Sequence, residues 1–241
     1  MKCVSPDSHL ALANSATKHE RFLGNGVLHS AIMPRPSRSA SPRKMKDCQI
    51  RAAVKSELMA HYDRDPDTVV IDELGLRHGA SRVDIAVVNG SLHGFELKSD
   101  RDTLKRLPRQ AKIYNSVLDA VTLVVSARHL ERAIELVPAW WGIRLAEIES
   151  DGRILLRDLR PPSTNPCPDA LAIARLLWRD EVLEFLEELG QAQGLYSKPR
   201  AALYSRLLMV TDIEHIRARV RRQLKDRVDW RSAERRVSCG G

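Results

Sequence analysis

Ser81-Arg82-Val83-Asp84-Ile85-Ala86-Val87-Val88-Asn89-Gly90-Ser91-Leu92-His93-Gly94-Phe95-Glu96-Leu97-Lys98 is the stretch that decides the fold. Two apolar runs flank an Asn-Gly turn signal, which predicts a β-hairpin. Each predicted strand carries charge where a buried strand should carry none. Glu96 and Lys98 stand two apart, so both side chains leave the same face of their strand. Two carboxylates and a lysine on one sheet are costly unless they bind something. The simplest such partner is a divalent cation with a phosphate beside it.

Loop length decides which side chains meet. A two-residue turn at Asn89-Gly90 would pair Asp84 with Phe95 and put Glu96 on the opposite face. A three-residue loop, Asn89-Gly90-Ser91, pairs Asp84 with Glu96 on one face. Such a loop often ends in a left-handed residue and a bulge, which Gly90 can supply. The other face then carries Ile85, Val87, Phe95 and Leu97, a good core set. An odd-length loop or a bulge is therefore expected.

An acid on one strand followed by acid-x-Lys on the next, here Asp84 and Glu96-Leu97-Lys98, resembles the signature of the PD-(D/E)XK nuclease superfamily. A preceding strand-like run, Val69-Val70-Ile71-Asp72-Glu73-Leu74, adds an acid at Glu73. Gln110-Ala111-Lys112-Ile113-Tyr114 follows on a helix-like segment, and its Gln-x-x-x-Tyr resembles the extra motif of the RecB-like branch. The resemblance covers roughly residues 47 to 160. Ser81-Arg82-Val83 replaces the Pro of the named motif. The layout also looks like a group of uncharacterised bacterial proteins with this core and a helical tail. The resemblance implies an α/β fold, a restriction-endonuclease-like αβββαβ core with a mixed sheet, and a Mg²⁺-dependent nuclease, with Mn²⁺ as substitute.

Composition sets outer bounds. The chain has 241 residues, 43% hydrophobic, enough for one domain of normal core size plus an appendage. No apolar run approaches a membrane span, and Leu10-Ala11-Leu12-Ala13 is too short for a secretory core. Cys3, Cys48, Cys167 and Cys239 are far apart, with no CxxC, so they read as reduced thiols in a cytoplasm and not as a zinc site. The net charge of +8 divides into +5 over residues 1–45, zero over 46–168 and +3 over 169–241. Whole-chain charge is thus a poor argument for nucleic-acid binding. Two local runs are better: Lys98 to Lys112 and Arg217 to Arg227 each hold six basic residues.

Residues 1–44 read as a Pro/Ser/Arg-rich leader that cannot bury a core. The pattern proper opens at Met45, which fits either a translation start there or a basic arm. Asp47 caps a predicted helix to about Tyr62, with Ile50, Val54 and Leu58 on one stripe. Strands are expected near 68–74, in the hairpin, at 120–126, 141–148 and 153–159. Helices are expected from Leu104 through Val117, with a kink or break at Pro108, and from Leu130 to Val137. Residues 45–160 thus form the nuclease-like domain. Pro161 to Pro168 is the clearest linker, and residues 169–241 read as a helical region. Its Ile213, Ile216, Val220, Leu224 and Val228 stripe needs a cover, so the region is expected to be a small unit of its own or a homodimer interface.

The resemblance implies roles for particular residues. Asp84, Glu96 and the Leu97 backbone carbonyl would hold the metal, with Glu73 a further ligand through water or a proton acceptor. Lys98 would orient the attacking water. Gln110 would reach the site from the helix, and Tyr114 would support it or touch DNA. Arg101, Lys105, Arg106, Arg109 and Lys112 could meet phosphates. Two function classes stay open: a metal-dependent nuclease acting on DNA in repair, restriction or phage-related conflict, and a catalytically silent nucleic-acid-binding or protein-interaction module on the same fold. Bland readings stand beside these: a cross-strand Asp84–Lys98 ion pair, a solvent-facing Glu73, and an ordinary helix face at Gln110 and Tyr114.

Overall fold

The hairpin closes around three loop residues. In the computed structural model, which describes residues 44–77 and 79–238 with side chains as far as Arg227, β2 (Ser81–Val88) and β3 (Leu92–Lys98) pair with Val88 opposite Leu92. Gly90 does not take the left-handed conformation expected of it. Asn89 closes the loop instead, its side-chain oxygen accepting from the Ser91 amide at 3.0 Å.

The element order is αβββαβ, then further helices and strands. Helix α1 (Asp47–Tyr62) leads into β1 (Val69–Leu76) and the hairpin. A 3₁₀ turn at Leu104–Arg106 opens α2 (Leu107–Val117), so Pro108 sits in the first turn, where its missing N–H costs nothing. Strand β4 (Ala120–Ser126), α3 (Leu130–Leu136), β5 (Gly142–Ile148) and β6 (Ile154–Arg160) complete the sheet. The protein is α/β with a six-stranded mixed sheet in order β1-β2-β3-β4-β5-β6: an antiparallel meander, two parallel pairings, then an antiparallel edge.

Each sheet face has its own core. Ile85, Val87, Phe95 and Leu97 pack under α1 through Ile50, Val54 and Leu58. Asp47 does not cap α1. It lies in the first turn, and Gln49 closes the end by accepting from the Lys46 amide at 2.9 Å. The other face, with Ala86, Val88, Leu123 and Val125, is covered by α2, α3 and the C-terminal helices α4 (Ala170–Ala174), α5 (Arg179–Glu188), α6 (Arg200–Val210) and α7 (Ile213–Ser238). Helix α6 was not expected, because its apolar residues surround the axis and leave no stripe to read.

The segment before α4 is tied down. The Asn165 side chain donates to the carbonyls of Asn115 and Leu118, both at 2.8 Å. The Ser163 amide donates to the Trp140 carbonyl at 2.9 Å. Ile216, Val220 and Leu224 are buried in the same cluster as sheet residues, so the stripe of α7 is covered within the chain. One compact unit begins at Lys44 and includes the helical region. The helical region therefore shares its core with the sheet and does not stand apart. The leader expected over 1–44 lies, except for Lys44, outside the described residues. Cys167 is disulfide-bonded, which corrects the reading of four reduced thiols, whereas Cys48 is free. Among the described residues no helix is long and apolar enough to cross a membrane.

Candidate active site

The site forms where two strands part. The β2–β3 ladder ends at Ile85 opposite Phe95, one residue short of Asp84 and Glu96. Beyond it the Leu97 amide donates to the Asp84 side chain at 2.8 Å. The N–H and C=O of one strand residue share an edge, so the Leu97 carbonyl turns toward the same gap. On the other side, Asp72 opposite Ile85 and Leu74 opposite Val83 put Glu73 level with Asp84. Glu73, Asp84 and Glu96 therefore lie in one row across β1, β2 and β3.

Glu73 leaves the regular strand. Its φ of 53° is left-handed, a conformation costing a non-glycine residue about 1–3 kcal/mol. Its side chain is half exposed and meets Arg82 at 3.1 Å and Arg51 at 3.6 Å.

Glu96 is 1% exposed and surrounded by polar partners. Lys98 Nζ lies 2.5 Å from its Oε1, and Gln110 donates to the same oxygen at 2.7 Å. The Tyr114 hydroxyl is 2.6 Å from Oε2 and 2.6 Å from the Arg82 carbonyl. A hydroxyl has one proton to donate. It therefore donates to the Glu96 carboxylate or to the Arg82 carbonyl, one at a time. Burial and the Asp84 charge push the Glu96 carboxyl above its ordinary range, against the opposing pull of Lys98. Tyr114 is fully buried and stacks on Trp141 at 5.9 Å, so it positions Glu96 and does not touch a strand of DNA. That corrects one of its two expected roles.

Asp84 has a partner that the sequence did not suggest. Arg51 of α1 donates to the Asp84 carbonyl at 2.8 Å and to its carboxylate at 3.1 Å. Nothing in the spacing of α1 separates Arg51 from an ordinary surface arginine. Burial raises the Asp84 carboxyl, and the Leu97 amide and Arg51 pull it back.

A cavity of about 500 Å³ opens over these groups. Glu73, Asp84, Glu96, Leu97, Lys98 and Gln110 all line it. Arg51, Arg82, Arg106 and Arg109 add positive charge to its wall. Lys112 is exposed beside it. Arg101 and Lys105 are exposed and line no described cavity.

These residues fit a hard divalent cation by donor chemistry. Two adjacent carboxylates and a strand carbonyl offer oxygen only, and Mg²⁺ takes one or two carboxylates while keeping waters. Among the described residues no three His, Cys, Asp or Glu side chains gather as a metal group. The carboxylates are balanced by Arg51 and Lys98. A dication arriving with an anionic diester and a hydroxide would keep that balance.

Carboxylates, a lysine and a helix-borne glutamine at the parted ends of two strands define an α/β protein with a charged site at one end of its sheet. The chain belongs to the bacteriophage P4 protein cII family, whose profile matches residues 42–235. Protein cII of Enterobacteria phage P4 is 38% identical over 77 residues, which span 32% of this chain and 29% of that protein. A solved structure, of a protein of unknown function from Silicibacter pomeroyi, is similar at 18% identity and a TM-score of 0.37, covering 67% of this chain and 99% of that one.

Proposed function

We propose that the protein is a metal-dependent nuclease that hydrolyses phosphodiester bonds of DNA. The observation that carries this is the convergence of Asp84, Glu96 and Lys98 from two parted strands with Gln110 from α2. The resemblance of the same four residues to the PD-(D/E)XK signature supports it. When bound, Mg²⁺ would supply a water of lowered pKa and neutralise phosphate charge, held by Asp84, Glu96 and the Leu97 carbonyl. Lys98 is buried and already aimed at Glu96. On release from that carboxylate it would orient the attacking water and offset charge on the phosphorane. Gln110 and Tyr114 fix the Glu96 carboxyl, and Arg51 fixes Asp84. A role in repair, restriction or phage-related conflict, in the cytoplasm, completes the proposal. The phage origin of the curated relative supports the last setting.

One observation favours a silent binding module instead: each carboxylate already has a cation of the chain against it. Cleavage separates the readings. Plasmid, linear and single-stranded DNA should be cut by wild type with Mg²⁺ or Mn²⁺. Lys98→Ala should lose rate more than metal affinity, and Asp84→Ala or Glu96→Ala should abolish cutting while staying folded. Wild-type cleavage by both carboxylate variants would remove the site assignment.

A further inference from the structure

Next to the carboxylate cavity lies a second one of about 450 Å³, which shares Ala80, Arg109 and Ile113 with it. Its wall holds Arg77, Arg109, Lys112 and Arg175, and no acidic residue. Among the described residues none of the four makes an ion pair. The basic run on α7 is different. Arg217 and Arg221 meet Asp119, Arg219 meets Glu184 and Glu188, and Arg227 meets Glu181. Lys225 meets Asp67, and of the six basic residues Arg222 alone has no ion pair among the described residues.

Four unpaired cations around one cavity repel one another, and the fold gains no stability by gathering them. Arg77 is held there at φ 49°, a left-handed conformation that a non-glycine residue adopts at a cost. Arg175 arrives from the end of α4, which packs on α2. Helix α2 sets the two cavities in register. It sends Gln110 to Glu96, while Arg109 and Lys112 reach the second wall. An anion with several oxygens suits such a wall, because guanidinium forks bind phosphate in pairs of hydrogen bonds.

We infer that this second cavity is a phosphate subsite: it holds a backbone phosphate of the nucleic-acid strand whose neighbouring linkage lies at Asp84 and Glu96. The identity of the strand rests on the nuclease reading; the gathering of cations does not. The strand would then run from the carboxylate cavity past Arg109, which lines both, into the second cavity. The subsite also gives the helical region a part in substrate binding through Arg175.

The test is binding without cleavage. The full chain is titrated into a labelled single-stranded DNA oligonucleotide in EDTA, with anisotropy read across a salt series. Wild type is compared with Lys112→Glu, Arg175→Glu, the two reversals together, the milder Arg175→Gln and a control reversal, Arg206→Glu. Each reversal in the wall is expected to weaken binding roughly tenfold, and the double reversal to flatten the salt slope by about 0.7 for each phosphate that the wall no longer neutralises. Arg206→Glu, a reversal of an exposed arginine on α6 that lines neither cavity, should bind as well as wild type. Unchanged affinity and slope in the wall reversals would overturn the subsite. So would a wild type that ignores DNA, or a poly-glutamate peptide that competes on equal terms. If the reversals weaken binding but no protein cuts DNA with Mg²⁺, the subsite stands and the nuclease reading falls. If DNA is cut and Asp84→Ala abolishes it, while the reversals change neither affinity nor KM, the reading stands and the subsite falls.

Discussion

Glu96 and Lys98 are 1% and 4% exposed, and each is the other's counter-charge. Removing one partner of such a pair costs about 3–5 kcal/mol, because the other is left buried and charged. Lys98→Met should therefore be unstable at neutral pH. It should recover as pH falls, because the Glu96 carboxyl, already raised by burial, is then neutralised by a proton. Glu96→Gln/Lys98→Met should be more stable than either single variant in urea unfolding. Additive losses would show that the two groups act independently. His93 behaves in the opposite sense. Burial takes its pKa from 6.5 down to about 4, and its ring meets the Thr122 hydroxyl at 2.9 Å. The unfolded chain takes up that proton from pH 6.5 downward while the folded chain stays neutral. Stability is thus lost as pH falls from 6.5 to about 4, by about 3 kcal/mol in all. His93→Gln should lose less over that window, and equal losses would contradict the assignment. At this scale the acids and the lysine were legible, because charge inside a strand is itself a signal. Arg51 was not, because an arginine on a helix has many bland uses.

At the scale of elements the hairpin register is decisive. Alternation of side chains and the two possible loop lengths reduced the problem to whether Ser91 belongs to the loop. The structure places it there. Deleting Ser91 would leave a two-residue Asn-Gly turn with Val88 still opposite Leu92, so Asp84 and Glu96 would stay on one face. The deletion variant should keep the site and lose only the loop contact of Asn89 with Ser91, read as a Tm close to that of wild type. A collapse in Tm would mean that the three-residue loop, and not the buried faces, holds the register. The sheet's close approach to Pro162 offers a second test. A Cβ at Gly142 would fall 2.9 Å from the Pro162 nitrogen and 2.9 Å from the Thr122 hydroxyl. Gly142→Ala should lower Tm, whereas Gly152→Ala has space but a left-handed φ of 89° and should cost through backbone strain. Most element boundaries followed from periodicity. Helix α6 escaped because apolar residues run right around its axis, although only Leu203, Tyr204 and Leu207 are buried.

For the molecule as a whole, the two basic runs that composition singled out fare differently. The basic run on α7 looked like a phosphate surface, but five of its six charges meet acids of the chain. The run on α2 keeps Arg106, Arg109 and Lys112 without ion pairs among the described residues. Sequence separation cannot distinguish these cases, because the acids that pair with α7 are distant along the chain. The proline-rich segment at 161–168 misled in the same way. Prolines suggested a joint, whereas Asn165 pins the segment to α2. A chain ended near Pro166 is therefore expected to aggregate or melt well below the full chain, since Val117, Leu118 and Val121 lose their cover. A soluble fragment with unchanged Tm would contradict the shared core. It would also reopen the expectation of a homodimer through the helical region.

The central claim is that Asp84 and Glu96 hold a divalent cation for phosphodiester cleavage. Its most direct measurement is a calorimetric titration of Mn²⁺ into the full chain, wild type against Asp84→Asn, Glu96→Gln and Lys98→Met. Wild type should bind, both carboxylate variants should not, and Lys98→Met should bind equally or more tightly, because no ammonium then competes for Glu96. Binding that survives in Asp84→Asn and Glu96→Gln, or is absent from wild type, would contradict it.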